Sequence, residues 1–212
     1  MEIYRTVYKE AEAAQVIERS RFITHIKPVG SRDEAEAFIA GIKAEYRDAT
    51  HNVPAMVIGE GFQIQWASDD GEPQGTSGAP IVQMLVKEGI TDVVVVVTRY
   101  FGGIKLGTGG LVRAYTSSVK LALEEAGVCS VMEVCRIEAE IDYTHLARLQ
   151  KLAGGEFDIE DIEYGEKVTV KILAEIEKKG EVLGIISNLT SGSAIIKRTD
   201  NVLAKKPLDS NS

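Results

Sequence analysis

The first 100 residues contain four short apolar segments that predict β-strands. They cover residues 21–28, 53–58, 63–67 and 92–99. Short runs rich in β-branched or alternating apolar residues are typical of strands. The five consecutive valines of the last segment predict a buried strand, and Trp66 in the third is expected in the core. In the first segment the alternation predicts that His25 faces solvent.

Three helices are predicted between and after these strands. Ser31 followed by Glu34 forms a capping box, after which apolar residues recur at helical spacing. Pro80 fits the first turn of a short helix that Gly89 ends. The third helix covers about residues 110–126. Its predicted buried stripe is Val112, Tyr115, Val119, Ala122 and Ala126, and its opposite face carries Arg113, Ser117, Lys120 and Glu124.

After Gly127 the pattern starts again and predicts a second α+β domain. Strands are expected over 134–141, 157–164, 167–176 and 194–199, with helices over 143–153 and 178–189. This β-α-β-β-α-β order is that of a ferredoxin-like domain, in which two helices cover one face of a sheet. The sequence thus predicts domains at residues 1–132 and 133–203, followed by a disordered polar tail, 204–212.

Composition excludes several classes of protein. The 212 residues carry 24 Lys and Arg against 32 Asp and Glu, so a net charge of −8 argues against a basic nucleic-acid coat. No apolar run approaches the roughly 20 residues of a membrane helix, and the N-terminus lacks a signal-peptide pattern. Cys129 and Cys135 have no histidine cluster near them, which argues against a zinc site or a disulfide framework. A cytoplasmic protein without membrane contact is therefore predicted.

The charges are unevenly distributed within the first domain. Residues 19–32 and residues 93–123 contain no acid, and each window carries four Lys or Arg residues. We predict that they merge into one positive face, on which Arg21 and Arg113 border the same glycine-lined depression. Random clustering on a solvated surface remains the alternative.

Residues 98–115, TRYFGGIKLGTGGLVRAY, place a glycine-rich loop between a buried strand and a helix start. Free amides and the helix dipole favour an anion at such a position, and glycines let the backbone approach it. Arg99, Lys105 and Arg113 would supply charged hydrogen bonds. The spacing matches neither a Walker A loop nor G-x-G-x-x-G. In the alternative interpretation, the glycines only shape a tight turn.

The loop at residues 68–80, SDDGEPQGTSGAP, is rich in turn-forming and acidic residues. Asp69, Asp70 and Glu72 would suit a divalent cation, but no calcium-loop spacing is present, which favours turn formation. Thr76 and Ser77 are expected to cap the following helix. No nucleophile elbow accompanies His51, so neither a catalytic set nor a metal site is predicted.

These segments resemble the YigZ/IMPACT family. The resemblance rests on Ser20-Arg21-Phe22, Ala49-Thr50-His51, residues 68–73, residues 75–78, Arg99 to Gly103 and Leu106 to Leu111. It implies a first domain similar to the ribosomal-protein-like α/β sandwich of elongation factor G domain IV, and a second domain similar to its domain V. Eukaryotic members share the first domain and regulate translation through the kinase pathway that senses amino-acid starvation, which implies RNA, the ribosome or a translation-associated protein as partner.

The sequence therefore predicts a non-enzymatic factor without cofactors that binds RNA, the ribosome or a translation factor. The candidate interface is Arg21, His51, Arg99, Tyr100, Gly102, Gly103, Lys105, Gly107, Thr108, Gly109, Gly110, Arg113 and Lys120, with a rim of Ser68, Asp69, Asp70, Glu72, Gly75, Thr76 and Ser77. One alternative is a phosphotransferase like the small-molecule kinases, with the acidic loop holding Mg²⁺. Another is a protein-interaction adaptor that uses the ferredoxin-like sheet.

Overall fold

The computed structural model describes residues 2–208 and divides into two compact α+β units. One unit comprises residues 2–131 with 205–208, and the other comprises residues 132–204. The predicted fold class, α+β with two such units, is confirmed. Within residues 2–208, no helix is long and apolar enough to cross a membrane.

The first unit is built on a five-stranded sheet with the order β2-β3-β6-β4-β5, in which neighbouring strands are antiparallel. Its strands are β2 (Ala11–Ile17), β3 (Ser20–Pro28), β4 (His51–Ile58), β5 (Ile64–Ala67) and β6 (Val93–Tyr100). The unit also contains β1 (Glu2–Val7), which lies outside this sheet. Its helices are α1 (Arg32–Glu45), α2 (Gly78–Lys87) and α3 (Gly107–Ala126). The sheet is covered on both faces, so the strand β6 at its centre is fully buried along the valine run.

The alternation of side chains along β6 divides the valines between two cores. Val93, Val95 and Val97 pack with the apolar faces of α2 and α3. Val94 and Val96 point the other way and pack with α1. Because successive strand residues face opposite sides, a continuous valine run buries apolar surface in both layers at once. This central strand carries Arg99 to the end of the sheet, where the candidate site lies.

Several local expectations for the first unit are corrected by the structure. Strands β1 and β2 were not predicted, because β1 mixes charged with apolar residues and β2 combines a charged residue with small alanines. Trp66 is 40% exposed, since it lies on the edge strand β5, and is not a core residue. His25 is only 7% exposed and packs against the Tyr46 ring, 5.0 Å between centroids, so it does not face solvent. In α3, Leu111 joins the buried stripe in place of Val112.

The second unit has the predicted β-α-β-β-α-β order. Its elements are β7 (Val128–Ile141), α4 (Tyr143–Leu152), β8 (Phe157–Tyr164), β9 (Val168–Ala174), a 3₁₀ turn (Ile176–Lys178), α5 (Lys179–Leu189) and β10 (Ile195–Pro207). The strand order β10-β7-β9-β8 is that of a ferredoxin-like sheet. One sheet face packs its apolar residues against Leu149 of α4 and Val182, Ile186 and Leu189 of α5.

The predicted disordered tail is wrong for residues 204–207, which belong to β10. Half-buried residues alternate with exposed ones as far as Ala204, and the Lys205 ammonium donates to the Val7 carbonyl, 3.0 Å away. A hydrogen-bonded strand explains why this polar sequence is ordered. Residues 209–212 lie outside the described part of the chain.

Candidate functional site

Four distant segments of the first unit meet in a buried polar cluster, which we call the Arg99 cluster: Ser20, Glu72, Arg99 and Tyr115. Arg99 is 4% exposed, and its Nη1 donates to Glu72 Oε1 over 2.6 Å. The Tyr115 hydroxyl donates to the same oxygen over 2.7 Å. Arg99 Nη2 donates to Ser20 Oγ, 3.2 Å away. The cluster therefore joins the start of β3, the end of β6, the acidic loop and α3.

Burial makes the partners in this cluster mutually dependent. A buried guanidinium is tolerated only when a carboxylate and further hydrogen bonds replace its hydration. The guanidinium carbon of Arg99 also lies 5.4 Å from the ring centroids of both Phe22 and Phe101. Burial, followed by the hydrogen bond to Glu72, raises the pKa of Tyr115, so its hydroxyl keeps its proton and remains a donor.

Two expectations from the sequence are corrected at this cluster. Arg99 was predicted to contact phosphate, but its buried guanidinium is occupied by Glu72 and Ser20. Glu72 was predicted on the rim, but it is buried and lies at the centre of the cluster. Both side chains therefore hold the site together from inside and do not face solvent.

The acidic loop is organised by Asp69, which caps α2. Its carboxylate accepts from the backbone amides of Gly75, Ser77 and Gly78 at 2.7, 3.2 and 2.9 Å. The Ser77 hydroxyl donates to it as well, over 2.6 Å. Burial opposes ionisation of Asp69, but these hydrogen bonds outweigh it and lower its pKa. Ser77 occupies the predicted N-cap position, but its side chain makes no capping hydrogen bond. The prediction is wrong for Thr76, whose hydroxyl donates to the Pro73 carbonyl.

Asp70 ties the same loop to the sheet. Its carboxylate accepts from Lys43 Nζ at 2.6 Å and from the Asn52 amide at 2.7 Å, and its own amide donates to Ser68 Oγ. Its carbonyl lies 2.8 Å from His51 Nδ1. Because a carbonyl can only accept, this contact assigns a proton to Nδ1, and Nε2 lies 3.8 Å from Glu72 Oε1.

All three carboxylates of the acidic loop thus have protein partners. Asp69 is saturated by amides, Asp70 by Lys43 and Asn52, and Glu72 by Arg99 and Tyr115. Within residues 2–208, no group of three or more His, Cys, Asp or Glu side chains is arranged to hold a metal ion. The interpretation in which this loop holds Mg²⁺ for phosphoryl transfer is therefore not supported by its geometry.

The exposed part of the site is the loop after β6 and the first turns of α3. Phe101 is 46% exposed and Ile104 is exposed beside it. Lys105 and Arg113 are exposed and form no ion pair within residues 2–208. We call this the glycine-loop surface: Phe101, Ile104, Lys105, Thr108 and Arg113, with the exposed backbone of Gly103, Gly107 and Gly109.

The glycine-loop surface is anchored directly to the Arg99 cluster. The Gly102 amide donates to Ser20 Oγ over 3.2 Å, and the Phe101 amide donates to Thr50 Oγ1 over 3.0 Å. A Cβ on Gly102 would lie 2.1 Å from the carbonyl carbon of Arg19, so only glycine permits this approach. The buried cluster therefore fixes where the exposed aromatic ring stands.

The first turn of α3 lacks a side-chain cap. Leu106 occupies the N-cap position and makes no capping hydrogen bond, and the turn contains no acid. Gly110 is half-buried, and a Cβ there would meet Leu106 at 3.0 Å. Arg113 Nη1 lies 3.6 Å from where a Cβ on Gly109 would stand, so the guanidinium folds back over this turn. Positive charge is thus added at the positive end of the helix dipole.

The predicted single depression between Arg21 and Arg113 is wrong. Arg21 lies opposite Tyr100 in the β3–β6 register, and the Tyr100 hydroxyl donates to Asp48 on the side of α1. The neighbouring Phe22 faces α3, so Arg21 projects from the opposite face of the sheet to Arg113. Lys120 is also offset, since it pairs with Glu88 over 3.3 Å.

Sequence reasoning missed Phe101 and Ile104 as surface residues and took Tyr115 only for a core residue. Both missed residues follow the last residue of β6 and lie within the glycine-rich loop. There, neither the strand nor the helix periodicity places them on a buried face. Apolar residues that belong to no predicted strand or helix face would have indicated an exposed apolar surface. The pairing of Arg99 with Glu72, 27 positions away, had no local signal.

Comparison with known proteins gives matches along both units. Residues 18–123 match the Impact N-terminal domain, and residues 140–193 match a domain of unknown function, DUF1949. The IMPACT family member YvyE of Bacillus subtilis is 40% identical over 97% of this chain and 95% of its own. The family member YigZ of Escherichia coli is 33% identical over 84% of this chain and 88% of its own. A crystal structure of a hypothetical protein, 31% identical, covers 92% of this chain and 97% of its own with a TM-score of 0.57.

Proposed function

The chain belongs to the IMPACT family, and we propose that it is a cytoplasmic, translation-related regulatory factor that binds RNA through the glycine-loop surface. The observation that carries the proposal is the combination of an exposed aromatic ring at Phe101 with the unpaired cations Lys105 and Arg113 on one acid-free segment. The family resemblance supplies the link to translation. Ribosomal RNA is the natural candidate for the partner, since the proposed role lies in translation.

The chemistry of this surface suits unpaired RNA. An exposed aromatic ring can stack on an unstacked base, and bases are accessible in loops, bulges and ends. Lys105 and Arg113 lie near the uncapped amides of α3, where a phosphate would accept charged hydrogen bonds. Only a few phosphates can be contacted, because the chain as a whole carries a net charge of −8.

The experiment measures RNA affinity at two salt concentrations. A hairpin with an unpaired loop and the fully paired duplex of the same stem serve as probes. The loop hairpin should bind more tightly, and its affinity should fall as salt rises because counterions are released. Arg113→Glu should weaken hairpin binding about tenfold and reduce the salt slope by about one or more. Arg148→Glu, at an exposed position of α4, is the matched control.

Undetectable binding at low salt, or binding with no salt slope, would contradict the proposal. An equal loss in the Arg113 and Arg148 variants would also contradict it, since the effect would then be one of overall charge. If a pull-down retains a partner after complete nuclease digestion and loses it in the Arg113 variant, the surface binds a protein instead.

A further inference from the structure

Two tyrosines of the second unit form an exposed aromatic pair that the proposed function does not use. Tyr143, the first residue of α4, is 49% exposed, and Tyr164, the last residue of β8, is 68% exposed. Their ring centroids are 6.4 Å apart and the planes differ by 26°. Exposed neighbouring aromatic residues are enriched at recognition surfaces, because a ring offers a large contact area with little conformational entropy to lose.

The position of Tyr143 is fixed before any partner arrives. Its hydroxyl donates to the Gly165 carbonyl over 2.8 Å, which ties α4 to the turn between β8 and β9. Beside Tyr164 and Gly165 lies an open cavity of about 320 Å³. Its remaining lining residues are polar or charged: Glu140, Glu163, Glu166, Lys167, Thr169 and Lys197. The aromatic pair therefore borders a charged recess.

The lysines at this recess are already neutralised. Lys197 Nζ lies 2.8 Å from Glu140 and also donates to Thr169. Lys167 Nζ lies 3.8 Å from Asp142. In contrast, Glu166 forms no ion pair within residues 2–208, and Glu163 shares Lys171 with Asp161. The charge at this recess that remains available to a partner is therefore negative, and Glu163 and Glu166 carry it.

The same sign continues across the sheet face that is turned away from α4 and α5. Residues that alternate with the core positions of β7, β8 and β9 face this side. They include the acids Glu138, Glu140, Asp158, Asp161 and Glu163 and the bases Arg136 and Lys171. The inner strands β7 and β9 present no aromatic residue on this face, in contrast to RNA-binding sheets, which stack bases on aromatic residues there. An RNA strand is therefore disfavoured.

We propose that the Tyr143–Tyr164 surface binds an arginine- or lysine-containing segment of a basic protein. A cationic side chain lies against the exposed face of Tyr164, while its charge is met by Glu163 and Glu166. A cation over an aromatic ring is attracted by the ring quadrupole, and the acids add long-range attraction that steers the partner. The proposal is independent of RNA binding by the first unit, so either can fail alone.

The test measures the affinity of the full chain for three labelled peptides of equal length. One alternates arginine with glycine, one alternates lysine with glycine, and one alternates glutamine with glycine. The cationic peptides should bind, and the glutamine peptide should not. Tyr164→Ala should weaken arginine-peptide binding about five- to tenfold, whereas Tyr164→Phe, which keeps the ring, should bind like the unchanged protein. Glu166→Gln should weaken binding and flatten its salt dependence.

Matched controls separate this surface from general charge and from the first unit. Tyr8→Ala removes a tyrosine of the first unit that is 54% exposed, and it should not change peptide affinity. Arg113→Glu should leave peptide binding intact even if it abolishes RNA binding. Because Tyr164 is exposed, its variants should keep the unfolding temperature of the unchanged protein.

Three results would overturn the proposal. In the first, the arginine and glutamine peptides bind equally, or Tyr164→Ala and Tyr8→Ala have the same effect. In the second, Tyr164→Ala weakens RNA binding while leaving peptide binding unchanged, which makes nucleic acid the occupant. In the third, Tyr164→Ala converts a self-associated form to a monomer without peptide, which makes a second copy of the chain the occupant.

Discussion

At Glu72, one carboxylate oxygen accepts hydrogen bonds from both Arg99 and Tyr115, and the side chain is almost completely buried. A buried ion pair contributes little net stability when compared with an apolar replacement, but the loss of one partner leaves the other charge uncompensated. The residue thus matters less for the energy it adds than for the penalty that follows its removal.

We expect Glu72→Gln to lower the free energy of unfolding by about 3 kcal/mol, because the Arg99 guanidinium remains buried without its counter-charge. Denaturant unfolding monitored by circular dichroism measures the change. Glu166→Gln, at an exposed position of the second unit, should change stability by less than about 0.5 kcal/mol. A similar small change for Glu72→Gln would show that water reaches the guanidinium.

His25 makes stability depend on pH. Burial lowers its pKa, although the negative charges of Glu12, Glu45 and Glu10 oppose the shift. As pH falls below the ordinary histidine pKa of about 6.5, the unfolded chain takes up a proton more readily than the folded one, so stability declines. His25→Gln should reduce the loss of stability between about pH 7 and pH 5, measured by denaturant titration at each pH. An unchanged slope would assign the dependence to other groups.

At the scale of elements, the start of α2 is stabilised from outside the helix by Asp69, eight positions before its N-cap residue Ser77. A carboxylate at a helix N-terminus satisfies free amides and interacts favourably with the helix dipole. This arrangement folds the whole acidic loop around one side chain. Helix and loop therefore depend on the same carboxylate.

Asp69→Ala should destabilise the protein by about 1–2 kcal/mol, the usual cost of losing a helix cap. The pKa of Asp69 is lowered in the folded state, so its contribution is present above the unfolded aspartate pKa of about 3.9 and is lost as pH falls through the lower folded value. Acid unfolding of the variant should show a correspondingly weaker pH dependence. Equal stability of variant and unchanged protein at neutral pH would refute the capping role.

A substitution in the loop after β6 tests whether RNA binding needs the close backbone approach at Gly102. Gly102→Ala places a methyl group within the carbonyl of Arg19, so the loop must move and hairpin RNA affinity should fall at least about tenfold. Gly41→Ala, inside α1, is the control, because its new methyl meets open space and alanine favours the helix. Similar RNA affinities for the two variants would show that RNA binding does not depend on the position of this loop.

At the scale of the whole molecule, the sequence predicted the parts whose signal is local. The valine run gave β6, and the capping box gave the start of α1, where Ser31 Oγ accepts from the Glu34 amide. The edge strand β2 begins with alanines and a glutamate, and only Val16 and Ile17 are β-branched, so its pairing with β3 provides the stability that propensity does not.

The site was predictable only as a set of segments. The glycine run and its cations were visible in the sequence, but the burial of Arg99 depends on Ser20 and Glu72, 79 and 27 positions away. Charge counting treats arginine as a surface residue. The opposite orientations of Arg21 and Arg113 likewise follow from strand register and packing. Counting charges along the sequence does not give either of these.

The negative charge of the whole chain should limit the length of RNA that binds well. Phosphates beyond the small cationic patch meet a protein of net charge −8, so extending the paired stem of a loop hairpin should leave affinity unchanged or lower it at low salt. At high salt the difference should vanish because the repulsion is screened. Affinity that rises steadily with stem length would contradict a small footprint.

The Arg99 cluster also has an order in time. During synthesis from the N-terminus, Ser20 and Glu72 are incorporated before Arg99 and Tyr115. Until Arg99 is added, the Glu72 carboxylate has neither of its donors, and it gains the second only when α3 supplies Tyr115. A growing chain therefore cannot hold Phe101 in its final place, and the proposed RNA-binding surface is complete only after α3 has been made.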